Sequence, residues 1–380
     1  MTRPTFTWNK SSATHFHTDA VLQAAWDQLN CQRGSLPFLD ASAISAALSN
    51  FGNGREIVLT GYLREQIVAI FILSKIGRLQ WATFQPSQLP LGAWVGAAQV
   101  DLYDLVHSLM RGPLGFCLAV SVTQIDPLYT PRSITEPHSD ARQSSDYRID
   151  DYISTASIDI KGSFEEYWAA RGKNLRQNLR KQRNKLTADG VVATMNKLTD
   201  AAAMAQVLAR YGALESAGWK ADRGTAIHPN NAQGRFYLSL FELAGKRGEA
   251  LVYEYLLNDR TVAINLGLLR AGQLIVLKTA YDESIKTLSP AFLLREEELQ
   301  AFFGEGHVQR IEYYGKVMDW HTKLTQETRT LYHLTVYRWA WLQAWLTRRQ
   351  AKAKIAQATA VQTSVSEPAV NSTPVATELH

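Results

Sequence analysis

Residues 55–72 read REIVLTGYLREQIVAIFI, and residues 249–266 read EALVYEYLLNDRTVAINL. Aligned without gaps 194 positions apart, they share Val58/Val252, Leu63/Leu257, Val68/Val262, Ala69/Ala263 and Ile70/Ile264. Five identities in 18 are few, and the shared pattern says more. Each stretch is an apolar, β-branched run, a polar three-residue turn (Arg64-Glu65-Gln66 or Asn258-Asp259-Arg260) and a second such run, which marks a β-hairpin. Each then passes through a glycine turn, Gly77 or Gly272, into a third run: LQWATF at 79–84 or QLIVLKTAY at 273–281. Two three-stranded meanders in one chain predict two copies of one α+β unit.

The sequence beyond each meander matches as well. A helical stretch near 98–111 and an apolar run, FCLAVSVTQI at 116–125, follow the first; FLLREEELQAFF at 292–303 and VQRIEYY at 308–314 follow the second. The polar, proline-bearing segment 131–150 reads as a surface loop between the copies. The expected division is a first α+β domain over 1–150, a connecting strand and basic helix over 151–190, and a second domain over 191–350. Residues 356–380 hold no aromatic residue and no apolar period, so they are expected to form a disordered tail.

Composition narrows the class. Of 380 residues, 46% are hydrophobic and 20% charged, with a net charge of +5. These values suit a globular protein of two or three domains and do not by themselves call for nucleic acid. Two cysteines, Cys31 and Cys117, are too few for a disulfide framework or a zinc finger. The opening residues lack the apolar core of a signal peptide, and no run approaches the roughly 18–20 apolar residues of a membrane span. A cytoplasmic protein is the expectation.

The most legible helix is FEEYWAARGKNLRQNLRKQRNKLTADG at 164–190. Phe164, Trp168, Leu175, Leu179 and Leu186 fall on one stripe at 100° per residue, with Gly190 as the cap. Lys173, Arg176, Arg180 and Arg183 flank that stripe. They are read as a continuous anion-binding ridge toward an acceptor, against the plainer reading of a solvated basic face. No GxSxG, HExxH, CxxC, GxxxxGK[ST] or strand-associated GxGxxG occurs, and no histidines stand at metal spacing. No metal is expected.

Several segments of the second copy carry a family resemblance. In order they are Glu215-Ser216-Ala217-Gly218-Trp219-Lys220, Arg223-Gly224-Thr225-Ala226-Ile227, Lys278-Thr279-Ala280-Tyr281-Asp282, Leu288-Ser289-Pro290, and Tyr314-Gly315 running into Asp319-Trp320-His321-Thr322-Lys323. The set resembles the GNAT-superfamily acyltransferases of the cellulose-biosynthesis (CelD/BcsL) type, and the basic helix resembles that of Fem-type peptidoglycan aminoacyltransferases. Departures are Ala221 and Ala291, where that family often has glycine. The resemblance implies tandem GNAT-like domains with a degenerate first copy. It also implies a cytoplasmic acyl-CoA-dependent, most simply acetyl-CoA-dependent, N- or O-acyltransferase. The acceptor would be a sugar, sugar nucleotide or polysaccharide or envelope precursor, attacking the thioester directly. Two alternatives are Fem-type aminoacyl transfer from charged tRNA, and a non-catalytic binding protein with degenerate domains.

Within that reading, Glu215 is the candidate base, and Tyr281 and Asp282 at a strand end are further catalytic candidates, Tyr281 as proton donor to the leaving thiolate. Ser289, Pro290, Ala291 and Phe292 form a helix start expected to receive the cofactor's pyrophosphate, with Ser289 as N-cap and Pro290 at the first helical position. Arg176, Arg180, Arg183, Trp219, Lys220, Lys278 and Lys323 are the substrate-binding candidates. By strand alternation Lys278 shares a face with Val276 and Leu274. The stretch 331–349 is expected to pass from a last strand into a short helix. Its tryptophans 339, 341 and 345 are expected to pack on the protein's own sheet, the alternative being a membrane or partner contact through 339–349.

Overall fold

The computed structural model describes residues 4–130, 146–217 and 227–345. The strands are β1 (Thr7–Ser12), β2 (Ile57–Leu63), β3 (Gln66–Gly77), β4 (Gln80–Thr83), β5 (Trp94–Gly96), β6 (Ala119–Ile125), β7 (Tyr147–Asp159), β8 (Ala193–Leu198), β9 (Ala250–Leu257), β10 (Arg260–Arg270), β11 (Gln273–Tyr281), β12 (Arg310–Tyr313) and β13 (Thr328–Tyr337). The helices are α1 (Ala20–Gln32), α2 (Ala41–Phe51), α3 (Leu102–Arg111), α4 (Phe164–Ala169), α5 (Lys173–Ala188), α6 (Ala201–Ala217), α7 (Ala232–Lys246), α8 (Pro290–Glu305) and α9 (Asp319–Thr322). The expected loop at 131–150 is already strand from Tyr147; its stretch 131–145 lies outside the described residues, as do the tail 356–380, Trp219 and Lys220.

Both meanders form, as β2–β3–β4 and β9–β10–β11, and each is followed by a helix and a parallel strand: β6 beside β4, β12 beside β11. The hairpin turns are tighter than expected. Leu63 pairs with Gln66 and Leu257 with Arg260, leaving two-residue turns. Arg64, Glu65, Asn258 and Asp259 all take positive φ. Two consecutive positive φ values define the turn whose twist matches the flanking strands.

The repeat closes into one sheet in the order β1-β2-β3-β4-β6-β13-β7-β12-β11-β10-β9-β8, with β5 against β3. The two central strands are exchanged. β13, the last strand of the second copy, pairs with β6 of the first, while β7 pairs through Ala156–Asp159 with β12 of the second. The two also pair with each other. β7 is therefore a central strand of the sheet and not a connector. Charge is buried at this crossing. Arg329 binds Asp126 through two N–H groups (2.6 and 2.9 Å) and Glu312 through a third (2.6 Å), and Arg310 joins Glu312 (2.6 Å) to Asp159. Asp126 and Glu312 are wholly buried, so each guanidinium compensates a carboxylate that water cannot reach.

The basic helix is not continuous. α4 ends at Ala169, and α5 starts after Gly172, whose extended backbone (φ −55°, ψ 132°) breaks the helical run. Leu175, Leu179 and Leu186 are buried as the stripe predicted, beneath α8 in the second copy's core, while Phe164 and Trp168 stack on each other beside it. α5 is thus part of the second copy more than a link between the two. Its end follows the sequence: Gly190 has φ +67°, with Gly190 N–H bonded to Thr187 O (3.1 Å) and Val191 N–H to Leu186 O (2.8 Å), a Schellman motif.

Candidate active site

Parallel pairing between β11 and β12 covers only Gln273–Val276 and Arg310–Tyr313. Beyond that the strands diverge, and a cleft opens on each face of the sheet. A bulge sits at the divergence: Leu266 pairs with Lys278 and Gly267 with Val276, so Leu277 falls opposite no residue of β10 or β12. The bulge overturns the alternation expected for Lys278. Leu274 and Val276 pack into the core under α8, whereas Leu277 packs with Ile275 into the core under α6 and α7, and Lys278 turns toward α6. An inserted residue re-aims the side chain after it.

There Lys278 meets Glu215. Lys278 Nζ donates to Glu215 Oε1 at 3.3 Å and lies 5.5 Å from the Tyr237 ring centre. Glu215 is buried; its Oε2 accepts the Ile227 N–H at 2.9 Å and its Oε1 the Tyr211 hydroxyl at 3.4 Å. Two residues selected separately from the sequence are thus one ion pair, its carboxylate buried and its ammonium at the cleft wall. Burial pushes the Tyr211 and Tyr237 hydroxyls upward, with the Glu215 charge adding to both, so both stay protonated.

Lys278 lines a cleft of about 680 Å³ between the copies. Its walls include Gln85, Gln88 and Gln124 from the first copy, Tyr152 from β7, and Tyr237, Tyr314 and Lys316 from the second. The first copy therefore supplies polar groups to this cleft. Gln124 Nε2 donates to Gln85 Oε1 (2.9 Å), and Gln85 Nε2 to Leu89 O (2.7 Å). Single glutamines and tyrosines scattered over loops, strands and a helix carry no spacing signal, so sequence reasoning passed over Gln88, Gln124, Tyr152, Tyr237 and Lys316. The turn residue Gln85 at the end of the first meander was the one available cue.

On the opposite face a second cleft of about 670 Å³ lies between α5, the start of α8 and α9. Arg171, Asn174, Asn178, Ser289, Phe292 and Lys323 line it, with no carboxylate among its lining residues. Ser289 and Pro290 stand where expected, at the N-cap and first helical position, but Ser289 takes a left-handed backbone (φ 55°, ψ 47°) and makes no side-chain cap. Its Oγ instead accepts from Asn178 Nδ2 at 3.2 Å. Lys323 Nζ stands 5.4 Å from the Phe292 ring centre.

The expected ridge on α5 is divided. Arg183 is engaged with α8, donating to Glu296 (2.8 and 3.0 Å) and Glu297 (2.7 Å). Arg176 Nε donates to the Arg171 carbonyl (3.2 Å) that the helix break releases. Lys173 and Arg180 face solvent. The cation that this segment does bring to the cleft is Arg171, from the break itself, where it joins Lys323. Asp282 is committed elsewhere: it accepts from Ser284 N–H (2.9 Å) and Oγ–H (2.6 Å) and pairs with Arg260. Tyr281 is exposed at the strand end, and neither residue lines either of these two clefts. Trp320 is half-buried against the second copy's core, packing edge-on to Tyr313 and carrying the buried Arg295 guanidinium 4.1 Å from its ring centre.

Among the described residues, no group of three or more His, Cys, Asp or Glu is placed to hold a metal, and no helix is long and apolar enough to cross a membrane.

Residues 173–322 match the acetyltransferase (GNAT) domain family. The match starts at the first residue of α5 and ends at the last residue of α9. A conserved protein of unknown function from Bacteroides thetaiotaomicron shares the fold at 10% identity and a TM-score of 0.50, over 88% of this chain and all of that one. Weaker likenesses include the C-terminal domain of a protein described as a lysylphosphatidylglycerol synthetase from Agrobacterium fabrum (14% identity, TM-score 0.47, 76% of this chain and 87% of that one). A tandem GNAT protein of the clavulanic acid biosynthesis pathway is another (10% identity, TM-score 0.44, 87% of this chain and 98% of that one). No curated protein sequence matches the chain.

Proposed function

We propose that this chain, an acyltransferase by its GNAT domain, moves an acyl group, most simply acetyl, from coenzyme A to an amine or hydroxyl. The acceptor we assign is a sugar, sugar nucleotide or other polysaccharide or envelope precursor. The carrying observation is that Lys278, a wall residue of the interunit cleft, pairs with the buried Glu215 directly behind it, which sets a candidate proton acceptor one side chain away from a space large enough for a small substrate.

The α5–α8 cleft fits the donor's diphosphate: two cations, three carboxamides and no carboxylate line it. Arg171 and Lys323 would hold the phosphates, with Asn174 and Asn178 as hydrogen-bond donors. The bound donor supplies a thioester carbonyl. The Leu277 N–H, taken out of register by the bulge, donates to the oxygen that becomes negative as the acceptor attacks. Glu215 takes the acceptor's proton, and Lys278 holds that carboxylate in place; the C–S bond then breaks and coenzyme A leaves as its thiolate, which takes a proton from solvent. We assign Tyr281 and Asp282 no chemical step. Supporting a sugar-like acceptor, the interunit cleft offers carboxamides at Gln85, Gln88 and Gln124 and aromatic faces at Tyr152 and Tyr314, a lining suited to hydroxyl-rich ligands.

Hydrogen exchange with and without acetyl-CoA tests the donor site. Protection is expected at 288–294 and around 171–178; protection confined to 84–100 would move the donor to the first copy. Turnover of aminoacyl-tRNA with none of acyl-CoA would shift the assignment to the Fem-type reaction.

A further inference from the structure

β13 ends at Tyr337 and the chain continues Arg338-Trp-Ala-Trp-Leu-Gln-Ala-Trp345, helical over 340–345. Only Leu342 of this stretch is buried, packed with Ala119 and Tyr337. The tryptophans expected to dock on the sheet are the ones left outside: Trp339 is 38% exposed, Trp341 62% and Trp345 49%. With Leu342 turned inward, positions 341 and 345 share a face that looks outward.

These rings belong to a larger surface. Phe116, 60% exposed, lies 6.2 Å from Trp339, which stacks on Trp341 at 5.6 Å. The Arg338 guanidinium stands 5.2 Å from the Phe116 ring and 5.9 Å from the Trp339 ring, bonded to the Met110 and Cys117 carbonyls. The β3–β4 turn, with exposed Ile76 before it, runs alongside, Leu118 N–H bonding Leu79 O at 2.8 Å. A contiguous aromatic patch of this kind is uncommon on a surface that meets only water.

We propose that this end of the molecule seats on an anionic phospholipid bilayer. Charge selects that occupant. From 328 to 366 the sequence has no acidic residue, and Arg338, Arg348, Arg349, Lys352 and Lys354 cluster within or just beyond the aromatic stretch. Tryptophan is the side chain that settles at headgroup depth, apolar body inward and N–H toward water. Adjacent cations add attraction to anionic lipid, and neither element requires a spanning helix.

The test is co-sedimentation of the full chain with vesicles of phosphatidylcholine alone or with about 30 mol % phosphatidylglycerol, read together with tryptophan emission. Sedimentation with the anionic vesicles is expected, with a blue shift, quenching by brominated lipid and weakening in salt. The double variant Phe116→Ser/Trp341→Ser should lose at least about tenfold in partitioning while its thermal unfolding is unchanged. Absence of sedimentation, equal binding to neutral vesicles, or undiminished binding by the variant would each overturn the proposal. So would a Trp341→Phe difference spectrum that already reports a buried indole without lipid. In a monomer that result assigns the cover to residues 346–380, and in a dimer to a second copy.

Discussion

At the level of single residues, Glu215 and Lys278 carry separable consequences. Glu215→Gln keeps the volume and can still accept the Ile227 N–H, but it cannot take a proton. We expect kcat to fall about 10²–10³-fold with the KM for acyl-CoA unchanged, since a positioned base contributes on that scale. Steady-state kinetics check this, and an undiminished kcat removes Glu215 from the chemistry. Lys278→Met leaves a buried carboxylate without its cation, which costs on the order of 3 kcal/mol in denaturant unfolding. Glu298 offers a second test, in pH. Burial pushes its carboxyl up to about 8 despite the nearby Arg295 and the Asn265 amide (2.7 Å), so the folded chain holds a proton that the unfolded chain releases near the ordinary 4.5. Stability from this group is complete below about 4.5 and falls as pH rises toward 8. His321 runs the other way: burial lowers it to about 4, so its contribution is lost as pH drops from 6.5 toward 4. Between pH 6.5 and 8, of these two only Glu298 titrates. In that window the decline in melting temperature should be shallower in Glu298→Gln than in the parent.

The behaviour of α5 follows from where its cations end up. Arg183 clamps α5 to α8 through two adjacent glutamates, whereas Arg180 faces water. Partly exposed pairs are screened and contribute modestly, so Arg183→Gln should lower stability by about 1 kcal/mol and Arg180→Gln should leave thermal unfolding unmoved. Equal melting temperatures for the two variants would show that the clamp contributes nothing. The divided ridge also alters what the donor can meet: the cation that joins Lys323 at the α5–α8 cleft is Arg171, placed by a helix break at Gly172 and held by the Leu324 carbonyl.

Across the whole molecule, strand exchange makes the two copies one body. β13 completes the first copy and β7 the second, and Asp126, Arg329, Glu312, Arg310 and Asp159 lock the four crossing strands. A second link joins Arg270 of β10 to Asp40 of the first copy (2.5 and 2.8 Å). Neither copy can melt without exposing these charges and the edges of β6 and β12. Scanning calorimetry should therefore record one cooperative transition for the described core, with matching calorimetric and van't Hoff enthalpies. Two separable transitions would mean that the copies are held together more weakly than the continuous sheet implies.

The meanders, the helices around them, the α5 apolar stripe and its Gly190 cap were legible in the sequence because each rests on local periodicity or on one residue's backbone preference. The pairing of Glu215 with Lys278, 63 positions apart, was not, although both residues stood out singly. It depends on a one-residue bulge at Leu277 that reverses strand alternation, and alternation is blind to an inserted residue. The break at Arg171–Gly172 escaped for a related reason: the apolar stripe continues across it, and period alone does not register the extended backbone that Gly172 adopts. Strand exchange lay furthest from view. β6, β7, β12 and β13 are each ordinary strands by pattern, and an apolar strand pairs equally well with either copy. In the observed order one residue of β13, Arg329, reaches both buried carboxylates, Asp126 after β6 and Glu312 on β12, and a three-way contact between such distant positions leaves no trace in strand pattern.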